Sequence, residues 1–354
     1  MTAVVLAGLE PAAGAGEVAG ASAVLDAIGL RAMRRVLGPE GRFDGAAPRH
    51  EPLLRRWRVA LASPPERQPV DPREEDAALE HAYAQLGFRP RMAQFHRAAL
   101  AVLPALLRDE ISLHRLLFGE GDVLEALAAY QSGLVTRALN RALADTVAGL
   151  ADGRRTPLHV LEVGAGAGLT TDAVLAAVDD RVDGHAVDYR VSDLSAVFTQ
   201  DALVRYRGRR GLRADLVDLD RDLPAQGVPA GSVDVLVAGH VLHNAVDLPW
   251  TLRALRAALG PGGVLLFTES VGEPPAVLTS MSLLLSPAPG RAGAGSGDGR
   301  LAADRLFPDL PGWARLLEAA GFAAPALAPE PGSALARSLA PAGQYLFATT
   351  VSGR

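Results

Sequence analysis

The stretch "VLEVGAGAGLTT", residues 160–171, joins an apolar run to three alternating glycines and then to a helix-favouring segment. Gly164, Gly166 and Gly168 make a G-x-G-x-G turn, where glycine lets the backbone bend tightly and lets a ligand approach it closely. A plain strand-to-helix turn would show the same pattern, so the glycines alone do not identify a ligand. Their spacing differs from the G-x-G-x-x-G of dinucleotide-binding folds. The stretch therefore predicts a strand–turn–helix unit of another kind.

Three acidic positions near the ends of successive predicted strands narrow the choice of ligand. Glu162 stands just before the first glycine, where a carboxylate would repel a phosphate and attract a cation such as an amino acid's ammonium group. Asp193 ends the second predicted strand, where nucleotide-binding sheets hold a ribose diol. After the third strand Asp218 is a better candidate than Asp220 to bind an adenine amino group, with Leu219 beside it. Each acid alone could be a helix cap or a solvated turn, but together with the glycine turn they make S-adenosylmethionine (SAM) the most economical ligand.

Strands and helices alternate from residue 151 to the end of the chain, which predicts a doubly wound, mostly parallel sheet. We therefore predict two domains, an α-helical one over residues 1–150 and an α/β one over residues 151–354. Residues 287–300 are rich in Gly, Ser and Ala, so we expect a mobile loop there. The predicted strands are "LHVLEVG", "DYRVSD", "LRADLVDL", "SVDVLVAG", "GGVLLFTES" and "QYLFATTV".

The first domain shows helical periodicity and little strand signal over residues 20–150. Residues 123–150 are rich in Ala and Leu and predict one continuous helix at the end of this domain. On such a helix Tyr130, Arg137 and Asn140 would share one face, because their spacings of seven and three residues match helical turns. Polarity on the outside of an amphipathic helix would explain the same three residues.

The composition is that of a globular protein, with 49% hydrophobic and 21% charged residues in a chain of 354. The net charge of −5, without a basic run, argues against nucleic acid as a partner. The absence of cysteine excludes disulfides, thiolate catalysis and cysteine-ligated zinc. The N-terminus has no basic region of a signal peptide and no run long enough to cross a bilayer. We expect a cytoplasmic protein with a loose N-terminus and no membrane contact.

Two histidines, His240 and His243, follow the fourth predicted strand in "VAGHVLHNAVD". They could form a metal site, supply a catalytic base, or be ordinary polar residues of a loop. Two imidazoles with a carboxylate such as Asp247 or Glu269 would bind a divalent ion, which could hold a 2-oxo acid and stabilise its enolate. No histidine follows His243 to complete such a site. We therefore predict no metal and keep the metal site as the alternative.

Residues 152–270 resemble the class I SAM-dependent methyltransferases, and more narrowly the C-methyltransferase domains of polyketide synthases and related nonribosomal assembly lines. Two N-terminal stretches, "RHEPLLRRWRVAL" and "LLFGEGDVLEALAAYQSGLVTRALNRAL", are similar to the helical lid that precedes the catalytic fold in those domains. Ala167 departs from the family, which often has Thr there. The resemblance implies a Rossmann-like class I fold with a C-terminal antiparallel strand, preceded by an all-α lid. It rests on "LHVLEVGAGAGLTT", "YRVSDLS", "VDLDRDLPAQG", "VDVLVAGHVLHNAVDL" and "LGPGGVLLFTES".

The same resemblance assigns catalytic roles. In these methyltransferases a histidine after the fourth strand pairs with a glutamate at the end of the fifth, which correspond here to His243 and Glu269. A sulfonium methyl is already electrophilic, so the enzyme must supply a nucleophile, and a histidine held by a carboxylate is a suitable base. The resemblance also suggests that Tyr130 and Asn140 close over SAM or the substrate carbonyl. Without a metal, we expect His240 to face the methionine end of SAM.

We predict a SAM-dependent methyltransferase (EC 2.1.1 class) of bacterial secondary metabolism that acts on a carbon α to a carbonyl. The acyl substrate is a small molecule or is bound to a carrier protein, and the oligomeric state is open between monomer and homodimer. The alternatives within enzymes are a metal-dependent 2-oxo-acid C-methyltransferase, an O- or N-methyltransferase, and a SAM-binding cyclase. The alternative outside enzymes is an inactive SAM-binding scaffold domain.

Overall fold

Helices make up the first part of the chain in the computed structural model, which describes residues 15–62, 70–119, 123–182, 186–287 and 291–351. The loose N-terminus was predicted over residues 1–20; residues 1–14 lie outside the described residues, whereas residues 15–20 are helical, so the prediction is wrong for that part. The all-α character predicted for this region is confirmed. Its helices are α1 (Ala15–Leu37), α2 (Glu51–Ala62), α3 (Glu75–Gln85), α4 (Pro90–Ala101), α5 (Leu103–Leu107), α6 (Leu113–Phe118), α7 (Val123–Tyr130) and α8 (Leu134–Ala151).

The prediction of one continuous helix over residues 123–150 is wrong, because the chain leaves the helix between α7 and α8. Gly133 has an extended conformation with φ −57° and ψ 149°, and a Cβ there would lie 2.7 Å from the ring of Phe88. The Ser132 hydroxyl accepts a hydrogen bond from the Arg89 main-chain N–H at 3.1 Å, and the Leu134 N–H donates to the Leu86 carbonyl at 2.8 Å. The loop after α3 therefore binds the Leu134 N–H, which a continuous helix would have bonded internally, and is held in place by the Ser132 hydroxyl.

The second part of the chain forms a seven-stranded sheet in the order β3-β2-β1-β4-β5-β7-β6. Neighbours among the first five strands run parallel, and β7 runs antiparallel to both β5 and β6. The predicted Rossmann-like class I sheet with a C-terminal antiparallel strand is thus confirmed. Its strands are β1 (Leu158–Val163), β2 (Val187–Asp193), β3 (Leu212–Leu216), β4 (Val233–Gly239), β5 (Leu259–Ser270), β6 (Ala326–Ala328) and β7 (Gln344–Thr350).

Both faces of this sheet are covered, because side chains alternate along each strand. Val235 and Val237 of β4 join a hydrophobic cluster that includes the helical region, whereas Leu236 and Ala238 join a second cluster on the opposite face. None of the helices within the described ranges is both long and apolar enough to cross a bilayer. The remaining helices are α9 (Leu169–Arg181), α10 (Ala196–Arg205), α11 (Leu248–Ala258), α12 (Pro275–Leu278), α13 (Leu310–Ala319) and α14 (Ala334–Leu339), with short 3-10 turns between them.

The parallel strands bring their carboxyl ends to one edge of the sheet. Helix α8 lies at the interface of the two parts of the chain, where it packs against α9, β5 and β7. The helical region and the strand ends therefore enclose the space in which a ligand of this fold would sit. The division into domains at residue 150 stays a prediction.

Candidate active site

Glu269, at the end of β5, is the centre of a cluster of hydrogen-bond donors. Its wholly buried carboxylate accepts from the main-chain N–H of His243 at 3.0 Å and from Nδ1 of the same residue at 3.0 Å. It also accepts from Nδ1 of His240 at 3.3 Å and from the Ser270 N–H at 3.2 Å. Burial alone would raise the pKa of this carboxyl group, but the attraction of His243 and the hydrogen bonds from both imidazoles outweigh it. The pKa of Glu269 is therefore held well below its usual range, and the group is ionised.

The register of two parallel strands explains why these residues meet. Gly239, the last residue of β4, pairs with Thr268 of β5, so the next residues lie side by side, with His240 just beyond β4 and Glu269 still within β5. His240 has a φ of +58°, a left-handed conformation that is uncommon outside glycine and that often occurs at functional sites. His243 lies three residues further along the chain, in a 3-10 turn, Leu242–Asn244, which turns its imidazole back onto Glu269.

The hydrogen bonds of His243 fix its tautomer. Nδ1 faces the ionised carboxylate of Glu269, so Nδ1 carries the proton of the neutral imidazole and Nε2 is unprotonated. No hydrogen-bond partner for Nε2 is present in the part of the chain that the structure describes. The ring packs against Phe307 with centroids 4.6 Å apart. His243 thus offers one basic nitrogen whose orientation is set by a carboxylate.

His240 contacts the same carboxylate through Nδ1, and its other ring nitrogen, Nε2, also lies near polar groups. Its Nε2 lies 3.2 Å from the side-chain amide nitrogen of Gln344 and 3.3 Å from the Ser270 hydroxyl oxygen. The Thr136 hydroxyl donates to Oε1 of Gln344 at 3.2 Å, which turns the amide NH₂ towards His240. Both imidazoles therefore point Nδ1 at Glu269, with ring centroids 5.6 Å apart.

The donor set could also hold a metal ion, because one ligand atom from each of His240, His243 and Glu269 lies within 4.8 Å of the others. Asp247, the other carboxylate considered for a metal site, accepts from the Trp250 N–H at 2.8 Å and caps α11. The structure thus singles out Glu269 as the third ligand of the alternative site.

The glycine turn between β1 and α9 has the conformation that its sequence requires. Gly164, Gly166 and Gly168 have φ values of +65°, +54° and +80°, which side chains disfavour. The Asp193 carboxylate accepts from the Gly166 N–H at 3.0 Å and from the Ser195 N–H at 2.8 Å, which ties the end of β2 to the turn. Burial raises the pKa of Asp193, although these backbone hydrogen bonds oppose the shift.

Glu162 is wholly buried and contacts the first turn of α9. One carboxylate oxygen, Oε2, accepts from the Thr171 hydroxyl at 2.5 Å and from the Tyr189 hydroxyl at 2.9 Å. The other oxygen, Oε1, has no hydrogen-bond partner among the described residues. Burial raises the pKa of Glu162 to about 7, despite the two hydroxyl donors. A carboxyl group with this pKa titrates near neutrality.

The residues after β3 form a turn that is hydrogen-bonded to the segment carrying His240 and His243, residues 240–247, which we call the histidine loop. The Asp218 carboxylate accepts from the Asp220 N–H at 2.9 Å, and the Asp218 main chain is bound on both sides by the Gln226 side chain. Asp220 in turn accepts from the Val246 N–H at 2.8 Å, three residues beyond His243 in the chain. Leu219 lies between the two acids and packs against the second hydrophobic cluster.

The three polar residues of the helical region do not share one helix, contrary to the prediction. Tyr130 ends α7, whereas Asn140 and Arg137 lie on α8 beyond the break. The amide oxygen of Asn140 is 3.4 Å from the Thr170 hydroxyl, next to the glycine turn. Arg137 instead donates to the Gly87 carbonyl at 3.0 Å and thereby stabilises the break. Tyr130 lines one cavity with His240, and burial, together with the charge of Glu269, raises the pKa of Tyr130 to about 12.

A cavity of about 130 Å³ lies between the helical region and the strand ends. His240, Ser270 and Gln344 line it on the side of the sheet, and Tyr130 lines it on the side of the helices. The sequence pattern predicted a place here for His240 and Tyr130 but not for Gln344, which begins the last strand without any motif around it. Only the antiparallel pairing of Gln344 with Ser270 brings it to the site.

The described part of the loop over residues 287–300 contains no helix or strand, and it is tied to the histidine loop. Asp298 accepts from the Leu248 N–H at 2.8 Å, and Arg300 donates to the main-chain carbonyls of His243 at 3.1 Å and Ala245 at 2.6 Å. These contacts hold the loop against the main chain of His243, the candidate base.

Residues 161–265 match the family model of the methyltransferase domain. The polyketide synthase ThaQ of Burkholderia thailandensis is 32% identical over 275 residues, which are 68% of this chain and 13% of that protein. The chain thus spans only a small part of the length of this curated relative.

Two solved structures share the fold over nearly the whole chain. The CurJ carbon methyltransferase has a TM-score of 0.75 at 22% identity and covers 95% of this chain and 93% of its own. The trans-methyltransferase CalH, in complex with SAH, has a TM-score of 0.67 at 22% identity and covers 95% of this chain and 90% of its own. The family match, the sheet order and the glycine turn agree, and the chain belongs to the class I SAM-dependent methyltransferases.

Proposed function

We propose that the enzyme transfers the methyl group of SAM to a carbon α to a carbonyl and that His243 is the general base. This proposal rests on two hydrogen bonds that Glu269 accepts from His243, one from the main-chain N–H and one from Nδ1. These hydrogen bonds orient the imidazole and leave Nε2 as the basic atom. A scaffold domain without catalysis would have no use for a buried, ionised carboxylate that orients two imidazoles.

The reaction needs one proton transfer and one substitution. Nε2 of His243 takes the α proton, and the electrons of the broken C–H bond form an enolate stabilised by the neighbouring carbonyl. The enolate carbon then attacks the methyl of SAM, the carbon–sulfur bond breaks, and S-adenosylhomocysteine (SAH) leaves with the electron pair. The Glu269 carboxylate stabilises the imidazolium that forms, as a carboxylate does for a catalytic histidine generally.

The cofactor contacts belong to the same proposal. The glycine turn of Gly164, Gly166 and Gly168 admits the cofactor, and Asp193 binds the ribose diol. Asp193 already orders the turn through its hydrogen bond to Gly166. In the same way Glu162 attracts the ammonium group, whose positive charge favours the ionised form of this buried carboxyl group, and His240 faces the methionine end from the neighbouring strand tip.

The adenine is assigned to the turn after β3, with Asp218 accepting from its amino group and Leu219 packing beside it. The support is position: this turn is bonded to the histidine loop through Asp220, so the adenine and the methyl group would be held by connected segments. Tyr130 and Asn140 close over the substrate and the cofactor from the helical lid.

The substrate in this proposal is an acyl compound with an acidic α carbon, either free or bound to a carrier protein. The support is that this chain resembles parts of assembly-line enzymes such as ThaQ and the CurJ carbon methyltransferase. The helices before residue 151 cover the cavity and act as its lid.

The position of the new methyl group tests the proposal. The enzyme is incubated with 13C-methyl-labelled SAM and a 3-oxoacyl thioester of N-acetylcysteamine, and the product is examined by NMR. We expect a methyl doublet coupled to one α proton, and we expect its formation to be lost in His243→Ala and kept in the control His81→Ala, which changes an exposed histidine of α3. A methoxy or N-methyl signal would assign the enzyme to the O- or N-methyltransferases instead.

The cluster of His240, His243 and Glu269 supports a second candidate, a metal-dependent 2-oxo-acid C-methyltransferase, because its ligand atoms lie within 4.8 Å of one another. Under the first proposal, dialysis against EDTA leaves the turnover of the 3-oxoacyl thioester unchanged. Loss of activity that a divalent ion restores, together with turnover of pyruvate-like substrates, would favour the second candidate.

A further inference from the structure

The main chain of residues 293–307 is hydrogen-bonded to the histidine loop. The Gly295 N–H donates to the Ala245 carbonyl at 3.0 Å. The Gly297 N–H donates to the Val246 carbonyl at 2.9 Å. Gly295 has a φ of +69°, and a Cβ on Gly297 would lie 3.1 Å from the Val246 carbonyl oxygen. The two segments therefore approach each other closely, which explains the glycines of this stretch.

Arg300 adds side-chain hydrogen bonds to the same loop. Its Nη1 donates to the His243 carbonyl at 3.1 Å and to the Leu306 carbonyl at 2.9 Å. Its Nη2 donates to the Ala245 carbonyl at 2.6 Å, and its Nε donates to the Asp298 carboxylate at 2.9 Å. A guanidinium group has five N–H donors in a fixed plane, so one side chain can bind three carbonyls and a carboxylate together.

Asp298 fixes the position of this guanidinium group and neutralises its charge. The exposed fraction is 10% for the Arg300 side chain and 3% for the Asp298 side chain. The Asp298 carboxylate also accepts from the Leu248 N–H at 2.8 Å and from the Arg300 N–H at 3.1 Å. Breaking such a nearly buried ion pair is costly, because the remaining partner would be an unpaired charge. Arg300 is therefore held firmly between the histidine loop and the start of α11.

The main chain of His243 is held on two sides. Its N–H donates to the Glu269 carboxylate at the end of β5, and its carbonyl accepts from Arg300. Phe307, the last residue of the same segment, packs against the imidazole ring with centroids 4.6 Å apart. The position of the imidazole depends on where this main chain lies, so it depends on the contacts to residues 293–307 as well as on Glu269.

We infer that Arg300 is a positioning residue for the general base, and that it acts through the main-chain carbonyls of His243 and Ala245. The inference rests on the proposed function, because it takes His243 to be the base. Arg300 does not line the cavity that the described residues form. Its loss should therefore lower the rate of methyl transfer while the affinities for substrate and cofactor stay near those of the wild type.

A double-mutant cycle with His243 tests this inference. Single-turnover rates are measured with saturating methyl-labelled SAM and a 3-oxoacyl thioester of N-acetylcysteamine. A misplaced catalytic group costs up to about 10²-fold in rate, so we expect Arg300→Ala to be about 10-fold to 100-fold slower than the wild type. In the His243→Ala background the same change should have no further effect, since no base is left to misplace. A purely structural role would slow both backgrounds alike.

Two more measurements separate positioning from a general loss of structure. Calorimetric titration of Arg300→Ala with SAH, and then with the thioester, should give affinities near those of the wild type. Added methylguanidinium should raise the rate of Arg300→Ala, because it can replace the missing group beside Asp298, and it should leave His243→Ala unchanged. The control Arg305→Ala removes an exposed arginine of the same segment, which pairs with Asp309 at 2.9 Å, and should turn over at the wild-type rate.

Arg300→Lys serves as a second variant if Arg300→Ala does not fold. Lysine keeps the positive charge beside Asp298, but its three donors sit on one atom and cannot bind all three carbonyls. We expect it to be slower than the wild type and to have no further effect in the His243→Ala background. Thermal melting shows which variants are folded.

A wild-type rate for the folded Arg300 variants, or an equal loss in both backgrounds, would overturn the inference and leave the proposed function standing. A wild-type rate for His243→Ala would overturn both. If the residual rate of His243→Ala is too low to compare, failure of methylguanidinium to raise the rate of Arg300→Ala overturns the inference. Unfolding of both Arg300 variants beside a folded Arg305→Ala would show that Arg300 supports the fold instead, and would overturn it too.

Discussion

Replacing Glu269 by Gln should harm catalysis about as much as replacing His243 by Ala. The carboxylate accepts hydrogen bonds from the N–H and Nδ1 of His243, from Nδ1 of His240 and from the Ser270 N–H. A glutamine has one carbonyl oxygen and one NH₂ group, so its NH₂ must face donors. The conflict is relieved if the proton of His243 moves to Nε2, because Nδ1 can then accept from the amide.

The magnitude follows from this change of tautomer. With its proton on Nε2, His243 can no longer take a proton from the substrate, and loss of a positioned base costs about 10²–10⁴-fold in rate. We expect Glu269→Gln and His243→Ala each to lower the rate by this order. Because the two residues act as one unit, the double variant should be no slower than the slower single variant. Affinity for SAM should stay near that of the wild type, since the base contacts the acceptor.

The assay is a single-turnover experiment with enzyme in excess over a 3-oxoacyl thioester, saturating methyl-labelled SAM and rapid quenching. Thermal melting of each variant shows that it is folded, and Ser270→Ala serves as a control that keeps the carboxylate and the main-chain N–H. A rate for Glu269→Gln equal to that of the wild type would refute the tautomer argument. A double variant slowed by the product of the two single effects would show that the residues act independently.

Three further outcomes are expected. Asp193→Ala should weaken SAM binding by about 1–3 kcal/mol in calorimetric titration, because charged hydrogen bonds to the ribose are lost, and unchanged affinity would place the ribose elsewhere. Gly164→Ala should abolish SAM binding, since φ is +65° and a Cβ would lie 2.3 Å from Val241, and normal binding in that variant would contradict the close approach. Folding stability should decline as the pH rises from about 4.5 to about 7, because over that range folded Glu162 keeps a proton that the unfolded chain has released. Chemical denaturation at several pH values should show this slope in the wild type and a flatter one in Glu162→Gln, and equal slopes would contradict the raised pKa.

The alternation of strands and helices was enough to predict the sheet, because fully buried parallel strands read as apolar runs. β6 was missed since its three residues, Ala326–Ala328, carry no periodic pattern. The break between α7 and α8 was missed because local propensity favours a helix there, and the contacts that stop it come from Leu86, Phe88 and Arg89.

The resemblance to the methyltransferases predicted the pairing of His243 with Glu269, and the sheet makes it reasonable because neighbouring parallel strands end side by side. The hydrogen bond between His240 and the same carboxylate could not be predicted, because it depends on the left-handed conformation of His240. The hydrogen bonds that link Tyr83, His96 and Thr279 could not be predicted either, because these residues are far apart in sequence and no motif marks them.

The packing of α8 has a consequence for dissecting the protein. Although α8 precedes β1 in the chain, Leu143 and Val147 on it share one hydrophobic cluster with Val237 and Leu266 of the sheet. A fragment beginning at residue 151 would expose this apolar face to water and should be insoluble when expressed alone. Cutting instead within the turn between α7 and α8 would keep that face covered, so it is the natural place to graft the catalytic half onto another lid.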